Sequence, residues 1–248
     1  MSGVPIALHQ GCCLEKMKGI ADSSIDMVLV DPPYGTTACK WDSVIPLDPM
    51  WEQLKRITKS NAAIVMTASQ PFTTMLIGSN LKMFKYEWIW EKSRSTGFLQ
   101  AKYMPMKSHE NVVVFVKSGV PTYNAQKTTG HKPTNSAVGV GHSDTFGKSK
   151  TRTYKGGDTT RNPRSIQAVK CERGFHPTQK PVALMEYLIR TYTNEGDVVL
   201  DFAMGSGTTG VAAVNAERGF VGIELDKKYF SIAEGRINHA EIPSEATA

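Results

Sequence analysis

Short apolar runs and helically spaced apolar positions alternate along most of the chain. Strands are predicted at residues 6–9, 25–30, 62–67, 86–90, 111–117, 197–201 and 219–225, where β-branched and aromatic residues gather or alternate with polar ones. Helices are predicted at residues 13–20, 49–58 with Asp48 as N-cap, 71–77, from 181 onward, 209–216 and 227–239. Because strands that alternate with helices are typical of an α/β fold, we expect a mainly parallel sheet with helices on both faces.

The pattern stops between residues 118 and 175, a segment rich in Gly, Thr, Ser, Asn, Lys and Arg. Residues 117–173 hold eleven Lys or Arg against three acids, a net charge of +8. This leaves −2 for the rest of a chain whose total charge is +6. A neutral body with a basic segment is typical of a protein that binds a polyanion.

This interruption divides the chain into two halves of one core and an insertion. We predict residues 1–117 and 176–240 as the halves, 118–175 as the insertion and 241–248 as a loose tail. The insertion is either a flexible solvated loop or a segment that faces nucleic acid, and we favour the second. The candidate phosphate contacts are Lys127, Lys132, Lys148, Lys150, Arg152, Lys155, Arg161 and Arg164.

Composition and the lengths of the apolar runs favour a protein that neither spans a membrane nor binds a metal ion. The chain has no charged segment followed by an apolar one at its start, and its longest strongly apolar run, residues 112–116, is too short to span a bilayer. We therefore expect a soluble protein of the cytoplasm. The four cysteines, Cys12, Cys13, Cys39 and Cys171, show no metal-ligand spacing and are too few for a disulfide framework, so no metal site is predicted.

Asp31-Pro32-Pro33-Tyr34 directly follows the strand predicted at residues 25–30. The carboxyl ends of strands in open α/β sheets are where ligands bind. Two prolines fix φ and remove two backbone donors, which makes the turn rigid and leaves its carbonyls free to accept hydrogen bonds. A carboxylate, a free carbonyl and an aromatic face together suit a flat heterocycle with an exocyclic amino group.

A second candidate site is the glycine-rich turn Gly205-Ser206-Gly207-Thr208-Thr209-Gly210, with Glu224 at the end of the next predicted strand. Glycines let a backbone approach a ligand closely, the helix N-terminus attracts its anionic part, and the acid accepts from ribose hydroxyls. Alone, the turn does not separate a nicotinamide cofactor from another ribose-containing cofactor, or from a tight turn that only requires glycine. A phosphate-binding loop of the NTPase type is disfavoured because no lysine follows the last glycine.

With both stretches considered, the sequence resembles the DNA amino-methyltransferases that use S-adenosylmethionine, in their β order of motifs. That order begins with Asp-Pro-Pro-Tyr, here residues 31–34, and continues with a target-recognition region, here 118–175. A His-Pro-Thr-Gln-Lys-Pro segment follows at 176–181, and the Gly-x-Gly cofactor loop comes last, at 201–210. His109-Glu110-Asn111 also resembles the family's segment ahead of the recognition region. The resemblance implies a Rossmann-like methyltransferase sheet that carries an inserted target-recognition region.

The resemblance also implies a role for each matched residue. Asp31 and the Pro32 carbonyl would accept hydrogen bonds from the target amino group, Pro33 would complete the catalytic segment, and Tyr34 would stack on the flipped base. The implied cofactor residues are Asp201, Phe202, Gly205, Ser206, Gly207, Thr208, Thr209 and Glu224, with Thr178 and Lys180 completing the pocket. Two positions depart from the family: Cys12 follows Gly11 where aspartate is frequent, and Phe202 stands where proline is usual.

The substrate that the resemblance implies is adenine in double-stranded DNA, methylated at N6. Aspartate at the head of the catalytic segment points to adenine, because relatives that methylate the cytosine amino group more often have serine there. The alternatives are N4-cytosine methylation of DNA, adenine methylation of RNA, an NAD-dependent oxidoreductase and a DNA-binding protein with an inactive methyltransferase fold. Left open are a homodimer, a cognate restriction endonuclease or none, and a bacterial or phage origin.

Overall fold

A computed structural model describes residues 4–36, 42–139, 142–143, 147–148, 152–172, 174 and 179–240. The chain divides into two compact units. The first consists of Met1–Asn124 with Ser165–Ala248, and the second is Ala125–Arg164.

Twelve strands lie in the described part of the chain. They are β1 (Ile6–Gln10), β2 (Ile25–Val30), β3 (Thr58–Ala68), β4 (Phe84–Thr96), β5 (Lys107–Val116), β6 (Ala137–Gly139), β7 (His142–Ser143), β8 (Gly147–Lys148), β9 (Arg152–Tyr154), β10 (Ile166–Val169), β11 (Val198–Asp201) and β12 (Gly219–Glu224). Eight of them form one sheet in the first unit, in the order β1-β12-β11-β2-β3-β5-β4-β10. Only β5 runs antiparallel to its neighbours in this sheet, so the prediction of a mainly parallel sheet is confirmed.

Among the described residues, six α-helices cover the two faces of this sheet, and a short 3-10 helix lies at Phe98–Gln100. The α-helices are α1 (Cys13–Met17), α2 (Leu47–Ile57), α3 (Phe72–Ser79), α4 (Val182–Tyr192), α5 (Thr208–Asn215) and α6 (Lys227–Asn238). The prediction of Asp48 as the N-cap of α2 is wrong, since Pro46 occupies that position and no side chain caps the helix. The helix starts earlier because Leu47 packs against the core. Asp48 lies in the first turn, where its negative charge interacts favourably with the helix dipole.

Each face of the sheet has its own hydrophobic cluster. On β2, Met27 and Leu29 pack into the cluster that contains α4, α5 and α6, whereas Val28 and Val30 pack into the cluster with α1, α2 and α3. This alternation follows from the two-residue period of a strand. A β-branched run such as residues 25–30 is therefore buried on both faces, as expected of a central strand in a parallel sheet.

The second unit is shorter than the insertion predicted at 118–175. It contains two small antiparallel pairs, β6 with β9 and β7 with β8, and a bridge between Thr128 and Arg161. β10 lies within the predicted insertion but belongs to the first unit, where Ile166 pairs with Ile89 of β4. Strands this short are stabilised by their partners more than by their own pattern, which is why no period marks them in the sequence.

None of the helices among the described residues is long and apolar enough to cross a membrane.

Candidate active site

A cavity of about 1160 Å³ opens at the carboxyl ends of the parallel strands of the first unit. This is the edge at which open α/β sheets bind ligands. Twelve of the predicted site residues line it: Asp31, Pro32, Pro33, Tyr34, Lys180, Asp201, Phe202, Gly205, Ser206, Thr208, Thr209 and Glu224. Thr178 lies outside the described residues. The fold therefore brings the Asp-Pro-Pro-Tyr segment and the glycine turn, far apart in the sequence, to one cavity.

The Asp31 carboxylate is held from three sides. Its Oδ1 lies 2.8 Å from the Tyr34 hydroxyl and 2.5 Å from the Thr67 hydroxyl, and both are able to donate to it. Its Oδ2 lies 2.6 Å from the Lys180 ammonium. These contacts leave Asp31 about a quarter exposed toward the cavity, at 25 % of its side chain. The carboxylate is thus fixed in orientation and still has acceptor capacity for a ligand.

Lys180 connects Asp31 to a second carboxylate, that of Glu110, whose side chain is 14 % exposed. Its ammonium lies 3.2 Å from Glu110 Oε2, and the other oxygen of Glu110 lies 3.0 Å from the Lys92 ammonium. Lys180 is only 5 % exposed. Burial opposes its charge, but the nearby carboxylates of Asp31 and Glu110 prevail and raise the pKa of Lys180 above its ordinary value. The result is a continuous chain of alternating charges, Asp31–Lys180–Glu110–Lys92.

No local signal in the sequence identified Glu110, Lys92 or Thr67 as site residues. Glu110 belongs to the His109-Glu110-Asn111 segment, which stands out only through the resemblance, and Thr67 stands inside an apolar strand. Lys180 is predicted beside the cofactor, whereas its ammonium contacts the Asp31 carboxylate. The contacts of Asp31 with Thr67 and Lys180, and that of Lys180 with Glu110, join residues more than 30 positions apart. The Lys92–Glu110 pair joins the neighbouring strands β4 and β5. Only the fold reveals these contacts.

The Tyr34 ring packs against Phe72, with centroids 5.3 Å apart and an interplanar angle of 22°. The Lys180 ammonium lies 5.5 Å from the Tyr34 ring centroid. Burial, together with the Asp31 charge, raises the pKa of Tyr34 well above its ordinary value, so the hydroxyl stays protonated and can donate. Any base that stacks on Tyr34 therefore has to use the ring surface that Phe72 leaves uncovered.

The glycine turn links β11 to α5 and depends on backbone conformations that favour glycine. Gly205 and Gly207 have φ of 51° and 81°. A Cβ at Gly207 would also lie 2.9 Å from the Cα of Ala233 on α6, so this position needs glycine for space as well as for conformation. Thr208 and Thr209 follow as the first residues of α5, both buried and both on the cavity wall. The turn thus presents the N-terminus of α5 to the cavity.

Arg236 on α6 supports this turn and was missed in the sequence, where it looks like an ordinary helical arginine. Its guanidinium donates to the Ser206 carbonyl at 2.6 Å, to Ser206 Oγ at 3.1 Å and to Thr208 Oγ1 at 3.4 Å. Burial lowers the pKa of Arg236, and the Glu172 charge opposes that shift. A positive charge therefore lies behind the N-terminus of α5, where it adds to the attraction for an anionic group.

Two further carboxylates lie beside the turn. Glu224 accepts from the Gly205 amide at 2.8 Å and from the Asp226 amide at 2.7 Å, and burial raises its pKa. Asp201 accepts from the Ala203 amide at 3.0 Å and is almost fully buried, which raises its pKa to about 7. Glu224 thus orders the turn and keeps acceptor capacity on its oxygens for a hydroxyl donor.

The predicted departures from the family also lie at this cavity. Cys12 lines the cavity, so a thiol stands where the family often has a carboxylate. Phe202 is buried in the core and also contributes to the cavity wall. Burial raises the pKa of the neighbouring Cys13 to about 11, so its thiol is protonated at neutral pH. A thiolate nucleophile is not available there.

The basic side chains predicted to meet phosphates differ in exposure within the second unit. Lys127, Lys132, Lys155 and Arg164 are exposed. The half-buried Arg161 donates to the carbonyls of Asp158, Thr160 and Lys132, at 3.1, 2.8 and 2.5 Å. Arg161 therefore stabilises this unit with part of its donor set. Lys148 and Arg152 lie on β8 and β9, and Lys150 lies outside the described residues.

Comparison with known proteins gives a family match over most of the chain. A family model described as "DNA methylase" matches residues 25–235. The Type II methyltransferase M1.MboII of Moraxella bovis is 26 % identical over 260 residues, which cover 95 % of this chain and 97 % of that protein. The DNA adenine methyltransferase YhdJ of Escherichia coli (strain K12) is 27 % identical over 247 residues, which cover 93 % of this chain and 82 % of that protein.

A solved structure agrees with these matches. The crystal structure of the M1.HpyAVI–SAM complex superposes with a TM-score of 0.64 at 26 % sequence identity. The match covers 93 % of this chain and 99 % of that one. The expectation of a Rossmann-like methyltransferase sheet with helices on both faces is thereby confirmed.

Proposed function

Because this chain belongs to the DNA methylase family, we propose that it transfers a methyl group from S-adenosylmethionine to the N6 amino group of adenine in double-stranded DNA. The oriented Asp31 carboxylate carries the proposal. It faces the same cavity as the glycine turn, so one ligand can present an amino group to Asp31 while another binds at Gly205 and Thr208. Adenine-directed relatives such as YhdJ support the choice of base.

The cavity fits S-adenosylmethionine by its chemistry. The N-terminus of α5, with the Arg236 charge behind it, suits the methionine carboxylate, and Thr208 and Thr209 would hold that group. Glu224 would accept from the ribose hydroxyls, and Asp201, Phe202 and Ser206 would complete the wall. When bound, this cofactor supplies an electrophilic methyl group. The glycine turn alone suits both S-adenosylmethionine and a nicotinamide cofactor. What disfavours the nicotinamide cofactor is the presence of Asp31 in the same cavity.

The amino group of adenine is a weak nucleophile because its lone pair is delocalised into the ring. In the proposed mechanism, Asp31 and the Pro32 carbonyl accept hydrogen bonds from its two hydrogens. These bonds favour a pyramidal nitrogen and stabilise the positive charge that develops on it during transfer. Lys180, Thr67 and Tyr34 hold the Asp31 carboxylate in one orientation, so little rearrangement is needed as that charge appears.

The amino group of a paired base cannot reach the cavity, so the target adenine must leave the duplex at a cost of a few kcal/mol. Stacking on the uncovered surface of Tyr34 would offset about 1–3 kcal/mol of that cost. We propose the second unit as the target-recognition region, with Lys127, Lys132, Lys155 and Arg164 contacting phosphates. A homodimer, a cognate endonuclease and a cytoplasmic location in a bacterium or phage-infected cell stay predictions.

The test is to identify the methylated nucleoside. Unmethylated duplex DNA and RNA are incubated in parallel with the protein and S-adenosylmethionine labelled in its methyl group, then digested to nucleosides and analysed by mass spectrometry. We expect the label in N6-methyladenine from DNA. Label in N4-methylcytosine would overturn the choice of base, and label in RNA alone would overturn the choice of DNA. Cofactor binding without transfer would identify an inactive methyltransferase fold.

A further inference from the structure

A hairpin of the first unit exposes an unusual set of large apolar side chains. It joins the end of β4 to the start of β5, and we call residues 97–106 the apolar hairpin. Its exposed side chains are Phe98 (78 %), Leu99 (92 %), Tyr103 (85 %), Met104 (53 %) and Met106 (39 %). Scattered single apolar residues on a surface are ordinary, but five within nine residues form a cluster that suggests a binding role.

The apolar hairpin lies at the mouth of the catalytic cavity. Arg94, Ser95 and Thr96 at the end of β4 and Lys107 at the start of β5 all line the cavity. This position follows from the topology, because β4 is antiparallel to β5, which is antiparallel to β3, and β3 is parallel to β2. The end of β4 thus emerges at the same edge as Asp31. A base that reaches Asp31 is therefore in the same cavity as the two ends of this hairpin.

The charges beside the hairpin are all positive. Residues 92–107 contain Lys92, Arg94, Lys102 and Lys107 and no acid. Lys92 is paired with Glu110, whereas Arg94 and Lys107 are exposed on either side of the apolar hairpin and Lys102 is exposed within it. An apolar tip between cations matches a nucleic acid duplex, which offers phosphates on the outside and stacked bases within. A second copy that docked through the same tip would bring like charges together.

We propose that the apolar hairpin inserts Phe98 and Leu99 into the DNA beside the target base, while Arg94, Lys102 and Lys107 contact the flanking phosphates. This inference rests on the proposed function and extends it to an element outside the second unit. Removing a base from the stack leaves an apolar gap, and wedge side chains are able to insert between base steps in this way. The inserted side chains favour the flipped state and so increase the fraction of bound complexes in which the base reaches Asp31.

The test compares a paired target with one that is already unpaired. The methylated positions in wild-type product give the site, and two short duplexes are prepared that carry it, one fully paired and one with an abasic site opposite the target. The variant is the double substitution Phe98→Ala with Leu99→Ala. Its matched control is Leu81→Ala, because Leu81 is 67 % exposed but lies before β4, at the opposite end of the sheet.

We expect the double variant to lose about tenfold or more of its transfer rate on the paired duplex and less than about twofold on the abasic duplex. Leu81→Ala should match the wild type on both, and cofactor affinity should be unchanged in every variant. Replacing Arg94 and Lys102 by Gln should reduce the salt dependence of DNA binding by about 0.9 in log–log slope for each phosphate that the variant no longer neutralises. Thermal unfolding of each variant checks that the fold is intact.

Three results would overturn the hairpin proposal while leaving the proposed function in place. The first is a double variant whose rate on the paired duplex equals that of the wild type, and the second is an equal loss of rate on both duplexes. The third is a difference in sedimentation between the wild type and the double variant without DNA, which would assign the hairpin to an interface between copies. If wild-type protein methylates no DNA at all, the proposed function fails first and the hairpin proposal falls with it. That result is seen before any variant is made, so the two failures are distinguishable.

Discussion

The two units of this chain differ in charge and in core. Residues 125–164 hold eight Lys or Arg and two Asp, so the second unit carries +6, while the first unit has 21 residues of each sign and is neutral. Both hydrophobic clusters of the described structure belong to the first unit. The second unit is ordered mainly by backbone hydrogen bonds and by Arg161, whose guanidinium contacts three carbonyls.

This difference reflects two physical requirements. Holding a carboxylate to within a fraction of an ångström of a reacting nitrogen needs a packed core, and the orientation of Asp31 depends on side chains from β3 and from the segment before α4. Binding a charged backbone needs exposed cations and little burial. Substitutions in the core and cavity of the first unit should therefore affect chemistry and stability, whereas those in the second unit should affect DNA affinity alone.

The largest expected effect on stability is that of Lys180→Met, which leaves the partly buried carboxylates of Asp31 and Glu110 without their shared cation. We expect a loss of about 3–5 kcal/mol in the free energy of unfolding and about a hundredfold in transfer rate. Urea unfolding and single-turnover transfer measure the two effects. DNA affinity should not change, because neither the second unit nor the apolar hairpin is altered.

Lys59→Met is the matched control for this variant. The Lys59 ammonium lies 2.5 Å from Asp26 in the same unit, but its side chain is 46 % exposed, so its loss should cost at most about 1 kcal/mol and leave transfer unchanged. Equal effects of the two substitutions would show that the buried charge chain has no special role.

A smaller effect concerns pH and Asp201. Since the folded pKa of Asp201 is raised from 3.8 to about 7, the folded state binds this proton more tightly than the unfolded state, and stability falls as pH rises from about 4 to 7. Asp201→Asn keeps the acceptor for the Ala203 amide and removes the titration. Its unfolding free energy should equal that of the wild type near pH 4 and exceed it by up to about 4 kcal/mol above pH 7. Parallel pH profiles would contradict the raised pKa.

Changes in the second unit should have the smallest effect on transfer rate and stability, which depend on the first unit. Replacing Lys127, Lys132 and Lys155 by Gln should weaken DNA binding by about tenfold or more, and each phosphate left without its lysine should reduce the salt slope by about 0.9. The rate of transfer at saturating DNA and the unfolding free energy should stay as in the wild type. Filter binding over a salt series measures the slope. A fall in the rate at saturating DNA would contradict the claim that the second unit contributes to DNA affinity and not to methyl transfer.

The sequence predicted the first unit well because its strands and helices carry strong periods. The runs at 25–30 and 111–117 both form strands of the central sheet, and residues 112–116 of the second run are buried. The Asp-Pro-Pro-Tyr segment and the glycine turn lie at one cavity because parallel strands end at one edge. Here local pattern and global fold agree.

The rest depends on long-range pairs that no local pattern encodes. Lys180 reaches Asp31 across 149 positions, and Arg236 supports Ser206 from a helix whose other residues gave no sign of this role. β10 was missed because four residues gain strand structure only by pairing with β4. The apolar hairpin was missed because the charge pattern points to the second unit, whereas the hairpin's own signal is exposure, which the sequence does not show.

The most direct measurement is single-turnover methyl transfer by Asp31→Asn, with Asp26→Asn as its control. Both aspartates belong to the same unit and pair with a lysine, but only Asp31 faces the cavity. We expect Asp31→Asn to lower the transfer rate by about a thousandfold while its affinities for S-adenosylmethionine and duplex DNA stay close to wild type, and we expect Asp26→Asn to transfer normally. A transfer rate for Asp31→Asn close to that of Asp26→Asn would contradict the assignment of Asp31 as the residue that activates the amino group.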